Sequence, residues 1–145
     1  MNNFRRKFIK YIGAGILSLP FLRGVRADYK PNVVVIGGGF GGGSFVKHLK
    51  SLNSNLNITL IERKNKYITC PFSNYVLGGF RSIKSNSFNY KKLSEGINLL
   101  NKEVTYIDSE KKTIFFDDKG KIIYDWLVLA PGIGFKWDSI EGYTK

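Results

Sequence analysis

The chain has 145 residues, 43% of them hydrophobic and 14% aromatic, a composition that excludes a disordered tail and fits one globular domain. The formal net charge is +12, but residues 1–27 carry six bases and no acid; the rest holds 17 bases against 11 acids, scattered without a basic helix, so no nucleic-acid partner is expected. The single cysteine, Cys70, excludes an internal disulfide and a CxxC metal or redox site, and the single histidine, His48, reads as a helix-flank residue.

Residues 1–27 read as an address. Arg5-Arg6-Lys7-Phe8-Ile9-Lys10 resembles a twin-arginine export signal. The apolar stretch from Tyr11 to Leu22 is interrupted by Gly13, Gly15, Ser18 and Pro20, and is shorter than the ~20 residues a spanning helix needs. Val25-Arg26-Ala27 offers small residues at the −3 and −1 positions, so cleavage after Ala27 is expected. The signal predicts a periplasmic protein, exported folded, with no stable membrane span; an uncleaved anchor is the alternative.

Val33-Val34-Val35-Ile36 is a continuous β-branched run, the pattern of a parallel strand covered on both faces. It runs into Gly37-Gly38-Gly39-Phe40-Gly41-Gly42-Gly43, where Gly37, Gly39 and Gly42 meet the GxGxxG spacing. In a βαβ unit these glycines allow a tight turn, a close backbone approach to a pyrophosphate and close helix–strand packing. The helix that follows is expected to bury Phe45, Leu49 and Leu52, with Val46 beside them, and to turn Lys47 and Lys50 outward. A second strand, Ile58 to Ile61, ends at Glu62, placed to accept hydrogen bonds from ribose hydroxyls and to repel a 2′-phosphate; Arg63 beside it leaves the choice against NADP incomplete. No Gly-Lys-Ser/Thr closes the glycine run, so a P-loop is excluded.

Lys64 to Asn89 reads as a loop with a short helix near Asn74–Leu77, and Tyr90 to Leu100 is expected to contain a further helical segment. Three short β-rich runs begin at Val104, Thr113 and Ile122, separated by turn residues; the first is expected to return to the parallel sheet and the other two to form a β-meander. Trp126-Leu127-Val128-Leu129 repeats the buried-strand pattern and ends in Ala130-Pro131-Gly132, the kind of strand end at which open α/β sheets bind ligands. The expected class is α/β: a Rossmann-like βαβ unit with a parallel sheet and a small meander.

The order of these pieces resembles the N-terminal part of the two-dinucleotide-binding flavoproteins, among them disulfide reductases, sulfide:quinone oxidoreductases, type II NADH dehydrogenases and flavocytochromes c. Within that family, Tyr67-Ile68-Thr69-Cys70-Pro71-Phe72-Ser73-Asn74, with Val76, Gly78-Gly79 and Ile140-Glu141-Gly142-Tyr143, is similar to the flavoprotein subunits of flavocytochrome c sulfide dehydrogenases. The resemblance implies an FAD-dependent oxidoreductase, with Gly37 to Gly42 and Glu62 on the ADP half, Val104 touching adenine through its backbone, and Ala130-Pro131-Gly132 closing over the flavin nucleotide. It implies a thioether from Cys70 to the 8α carbon of the flavin, sulfide as substrate and a c-type cytochrome subunit as partner. Such a bond would prevent loss of the cofactor outside the cytoplasm and raise its reduction potential.

The resemblance also implies that the FAD domain continues in later sequence, together with a redox cysteine pair. Residues 28–145 are therefore expected to be the N-terminal part of that domain, incomplete and inactive alone. Two alternatives remain: a fragment of another exported FAD oxidoreductase, such as a sulfide:quinone enzyme, or a non-catalytic remnant that binds no cofactor.

Overall fold

The computed structural model describes residues 29–144; the signal expected in residues 1–27 lies outside them. β1 (Asn32–Ile36), α1 (Phe40–Leu52) and β2 (Asn57–Ile61) form the opening βαβ unit. An excursion follows, with β3 (Lys66–Ile68), α2 (Ser73–Leu77), a 3-10 turn (Ile83–Asn86), β4 (Ser87–Asn89) and α3 (Lys91–Ser94). Then come β5 (Asn98–Leu100), β6 (Val104–Asp108), β7 (Thr113–Phe116), β8 (Lys121–Ile123) and β9 (Trp126–Leu129).

β5, β2, β1 and β9 pair in that order as an all-parallel sheet. β6, β7 and β8 form an antiparallel meander, and β3 pairs antiparallel with β4. This is the Rossmann-like α/β class expected from the sequence.

The two-residue period of a strand explains the uninterrupted apolar runs. Val33, Val35, Ile58 and Leu60 pack in one cluster with Val46 of α1 and with Tyr90. Val34 and Ile61, on the opposite face, pack with Ile114, Phe116 and Tyr124 from the meander. The parallel sheet is thus the middle of three layers, and polar residues in β1 or β2 would lie against apolar neighbours on either side.

Four expectations are corrected. The buried stripe of α1 is Gly42, Val46 and Leu49, whereas Phe45 is 41% and Leu52 83% exposed. The close seat of Gly42 on the turn sets the helix's rotation, and the i, i+4, i+7 positions follow from it. The run at Val104 belongs wholly to the meander, and its place in the parallel sheet is held by β5, which follows the helical segment expected within Tyr90–Leu100, here α3. Leu99 packs on the α1 side and Leu100 on the meander side, which is strand geometry. β9 does pair parallel with β1, but as an edge strand, with Trp126 69% and Leu129 60% exposed. The expected loop over Lys64–Asn89 is closed at its base by the β3–β4 ladder.

Asp125 ties the start of β1 to the chain entering β9. Its Oδ2 accepts the Asn32 N–H at 2.7 Å, and a side-chain hydrogen bond from Tyr29 joins it. The Tyr29 bond first, then the Asn32 N–H, hold the carboxyl below the usual carboxylate range. A depressed carboxyl stabilises the fold above its unfolded-state pKa and loses that contribution as pH falls through its folded value. Asp125→Asn is therefore expected to lower the urea midpoint at neutral pH, with the gap to the parent closing below about pH 4. Urea titrations across a pH series measure it.

Candidate functional site

The carboxyl ends of β1, β2 and β9 converge on one edge of the sheet, where open α/β folds bind ligands. Two adjoining clefts of about 290 Å³ each lie there. Ile36, Gly37, Ile61, Glu62, Arg63, Lys102, Glu103, Val104 and Pro131 line the first. Gly39, Tyr67, Ile68, Tyr90 and Ala130-Pro131-Gly132 line the second, with Glu62 and Arg63 again on its wall.

Backbone contacts build this edge. The Gly37 N–H donates to Ile61 O at 2.8 Å, the Ala130 N–H to Ile36 O at 2.8 Å and the Glu62 N–H to Leu100 O at 3.0 Å. Gly37 turns the chain out of β1 at φ 98°, a left-handed conformation that a side chain resists. A Cβ on Gly42 would overlap the Gly37 carbonyl oxygen, so α1 can start only where that glycine stands.

The helix N-terminus is prepared for an anion. Gly39 supplies the N-cap without a side-chain hydrogen bond, and the first turn of α1 holds no acid. Its leading N–H groups and the positive end of the helix dipole are thus left for a ligand. Gly39 and Gly41 have open space where a Cβ would go: Gly39 would meet only the Tyr67 ring at 3.9 Å and Gly41 nothing within 4 Å. Gly38 and Gly42 are packed tightly against protein, whereas Gly39, which lines the second cleft, has room, so the residues fit a dinucleotide's pyrophosphate at this point.

Glu62 is held in place at both carboxylate oxygens. Oε2 accepts the Gly38 N–H at 2.8 Å and Oε1 the Lys64 N–H at 2.9 Å. A carboxylate accepts about four hydrogen bonds, so two directions remain for hydroxyl donors. Arg63 pairs with Glu103 at 3.3 Å across the mouth of the first cleft, and Lys102 with Asp118 at 2.6 Å.

Tyr90 supports the turn from beneath. It is 6% exposed, and a Cβ on Gly38 would meet its Cε1 at 2.8 Å. Burial first, then the neighbouring charges of Glu62 and Tyr67, push its phenol up to about 12. A raised tyrosine contributes stability that is complete below its unfolded pKa near 10 and lost as pH rises through the folded value. Tyr90 is expected to resist ionisation up to about pH 12, with unfolding accompanying its titration between about pH 10 and 12; absorbance at 295 nm against circular dichroism, compared with Tyr90→Phe, checks this.

The structure brings Gly37, Gly39, Glu62, Arg63, Val104, Ala130, Pro131 and Gly132 together at the clefts. Gly38 lies behind them on Glu62 and Tyr90, Gly42 is buried under the turn, and Phe40 and Gly41 are exposed on the first turn of α1. Cys70 lines neither cleft; it is exposed on the excursion, two residues beyond Ile68. Sequence reasoning missed Lys66, Tyr67, Ile68, Tyr90, Lys102, Glu103 and Ile133 as cleft residues. A reading of Asn98–Leu100 as a strand would have flagged Lys102 and Glu103, which follow its carboxyl end. Among the described residues no group of acidic, histidine or cysteine side chains is arranged to hold a metal ion, and no helix is long and apolar enough to cross a membrane.

The chain is 54% identical over 44 residues to the flavoprotein chain of the flavocytochrome c sulfide dehydrogenase of Chlorobaculum thiosulfatiphilum, covering 30% of this chain and 92% of that sequence. It is 30% identical over 115 residues, 78% of its length, to the mitochondrial sulfide:quinone oxidoreductase of Dictyostelium discoideum, of which it spans 25%. Its fold matches the crystal structure of the sulfide:quinone oxidoreductase from Aquifex aeolicus with a TM-score of 0.64 at 32% identity, covering 70% of this chain and 24% of that one. The chain therefore spans about a quarter of the sulfide:quinone enzymes it matches. The pyridine nucleotide-disulphide oxidoreductase family model matches residues 31–144, which takes in both clefts, the glycine turn and the meander, and the chain belongs to that family.

Proposed function

We propose that this chain is the FAD-binding N-terminal portion of an exported sulfide dehydrogenase flavoprotein, whose whole form passes electrons from sulfide to a c-type cytochrome. The observation that carries the reading is the uncapped start of α1 facing open space at Gly39, beside the Glu62 carboxylate, at the carboxyl edge of a parallel sheet. When bound, FAD would supply two-electron oxidation. Gly39 to Gly42 would hold its pyrophosphate, Glu62 its adenosine ribose, and Val104 its adenine through the backbone. Ala130-Pro131-Gly132 would close over the flavin end.

Cys70 is the proposed covalent tether. A thioether would replace the Cys70 S–H bond and one C–H bond at the flavin 8α carbon; the two electrons would pass with the two protons to dioxygen, giving hydrogen peroxide, or to two oxidised haems with the two protons released to water. With Cys70 as its only cysteine, the chain carries no disulfide for sulfide to reduce. It is therefore proposed to hold cofactor without turning over sulfide. Export by the twin-arginine route into the periplasm rests on Arg5-Arg6 and the stretch to Ala27.

FAD titration of the purified chain, followed by acid precipitation, tests the reading. Saturable binding with flavin retained in the precipitate, and lost in Cys70→Ala, is the expected result. Saturable but fully removable flavin favours the second reading, a sulfide:quinone-type enzyme, which the 30% identity over 115 residues supports. No binding at all refutes both.

A further inference from the structure

One buried residue grips the chain on both sides of the sole cysteine. Asn86, at the end of the 3-10 turn, is 1% exposed. Its carbonyl oxygen accepts the Thr69 N–H at 2.9 Å, which extends the β3–β4 ladder one step beyond the Ile68–Ser87 pair. Its Nδ2 donates to the Pro71 carbonyl at 3.2 Å. Thr69 and Pro71 are the two neighbours of Cys70. Beyond them, the Ser73 N–H donates to the Cys70 carbonyl at 3.0 Å, and Phe72 turns the chain into α2 at φ 66°.

The asparagine carboxamide reaches into this loop, and its Oδ1 has no hydrogen-bond partner among the described residues. An unmatched buried acceptor destabilises a fold, and an apolar side chain of similar volume would avoid that cost. What the amide provides in return is its Nδ2 donor, spent on the Pro71 carbonyl. The loop is thereby fixed while Cys70 itself stays exposed. It leaves directly from β3, whose Tyr67 and Ile68 line the second cleft.

We infer that Asn86 is the positioning residue for Cys70: its grip on Thr69 and Pro71 sets where the thiol stands, two residues beyond the cleft residue Ile68. The inference rests on the tether reading above and extends it to a residue that no motif contains. A nucleophile placed in advance reacts faster than one on a loose loop, because the orientation is already made.

The test incubates the full chain with FAD in air, dioxygen being the oxidant, and follows acid-stable flavin over time. Asn86→Ala is expected to incorporate FAD about tenfold more slowly than the parent, with reversible ADP binding and iodoacetamide labelling of Cys70 unchanged. Asn86→Leu, which refills the volume without a donor, is expected to stay slow. Parent-like rates in the alanine variant, or rescue by leucine, overturn the inference, the latter by reducing Asn86 to packing. Side-chain amide exchange in the unmutated chain decides the matter where neither variant folds. It also does so if the parent takes up no acid-stable FAD, an outcome that removes the tether reading by itself. Slow Asn86 Nδ2 protons support the grip; exchange as fast as that of the exposed Asn55 overturns it.

Discussion

Gly42→Ala is expected to abolish the cooperative fold, while Gly41→Ala, one residue away, is expected to leave it slightly more stable. The two glycines share a helix turn but meet different surroundings. A Cβ on Gly42 would lie inside the Gly37 carbonyl oxygen and 3.4 Å from the Ala130 Cβ. Both neighbours are fixed: Gly37 by its N–H bond to Ile61, Ala130 by its bond to Ile36. Relief would need α1 to lift from the sheet, uncovering Val46, Val33, Val35 and Leu60, all of them buried. Overpacking of a yielding core costs about 1–3 kcal/mol, and a backbone overlap that cannot yield costs more. Against a typical stability of about 5–15 kcal/mol, the loss is decisive. Gly41 meets nothing within 4 Å, so alanine there gains about 0.5–1 kcal/mol from reduced backbone entropy. Urea unfolding of the three proteins, followed by circular dichroism, measures both. A folded Gly42→Ala with a parent-like midpoint would mean that α1 does not seat on the turn as described.

The sequence exposes this part of the fold because it is local. The β-branched run of β1, the glycine spacing and the acid after β2 lie within a single βαβ unit, and each residue type answers to a neighbour a few positions away. What escaped was set by distant partners. Asn98–Leu100 is too short for a period to show, and it becomes a strand only because Leu60 and Ile61 offer it an edge. Val104 opens the meander because Phe116 pairs with it, twelve residues on. Tyr90 and Asn86 illustrate the same limit for the site. Nothing adjacent marks either one, yet Tyr90 carries the Gly38 turn and Asn86 the flanks of Cys70. Even within α1 the apolar stripe misled: Phe45 and Leu52 fit a helical period as well as Val46 does. The small residue Gly42, rather than the largest apolar ones, decided which face turns inward.

Glu62→Gln is expected to weaken ADP binding by about 10–100-fold, the loss of roughly 1.5–3 kcal/mol that hydrogen bonds to a charged group carry. The carboxylate has two tasks. It pins the turn by accepting the Gly38 and Lys64 N–H groups, one on each oxygen, and it keeps acceptor capacity for ribose hydroxyls. An amide replaces one oxygen by an NH2 group, which must then face either the Gly38 or the Lys64 N–H, donor against donor. The turn gives way on that side, and the amide presents a donor where a hydroxyl proton would have been received. The negative charge also disfavours a 2′-phosphate, and Arg63 does not offset it while Glu103 holds its guanidinium. Glu62→Gln should therefore weaken ADP far more than 2′-phospho-ADP, narrowing the preference between them. Glu103→Ala, by freeing Arg63, should improve 2′-phospho-ADP binding and leave ADP unchanged. Calorimetric titration of both nucleotides against the parent and the two variants separates these effects. If Glu62→Gln binds ADP as the parent does, Glu62 is only a clip for the Gly38 turn, and the ribose lies elsewhere.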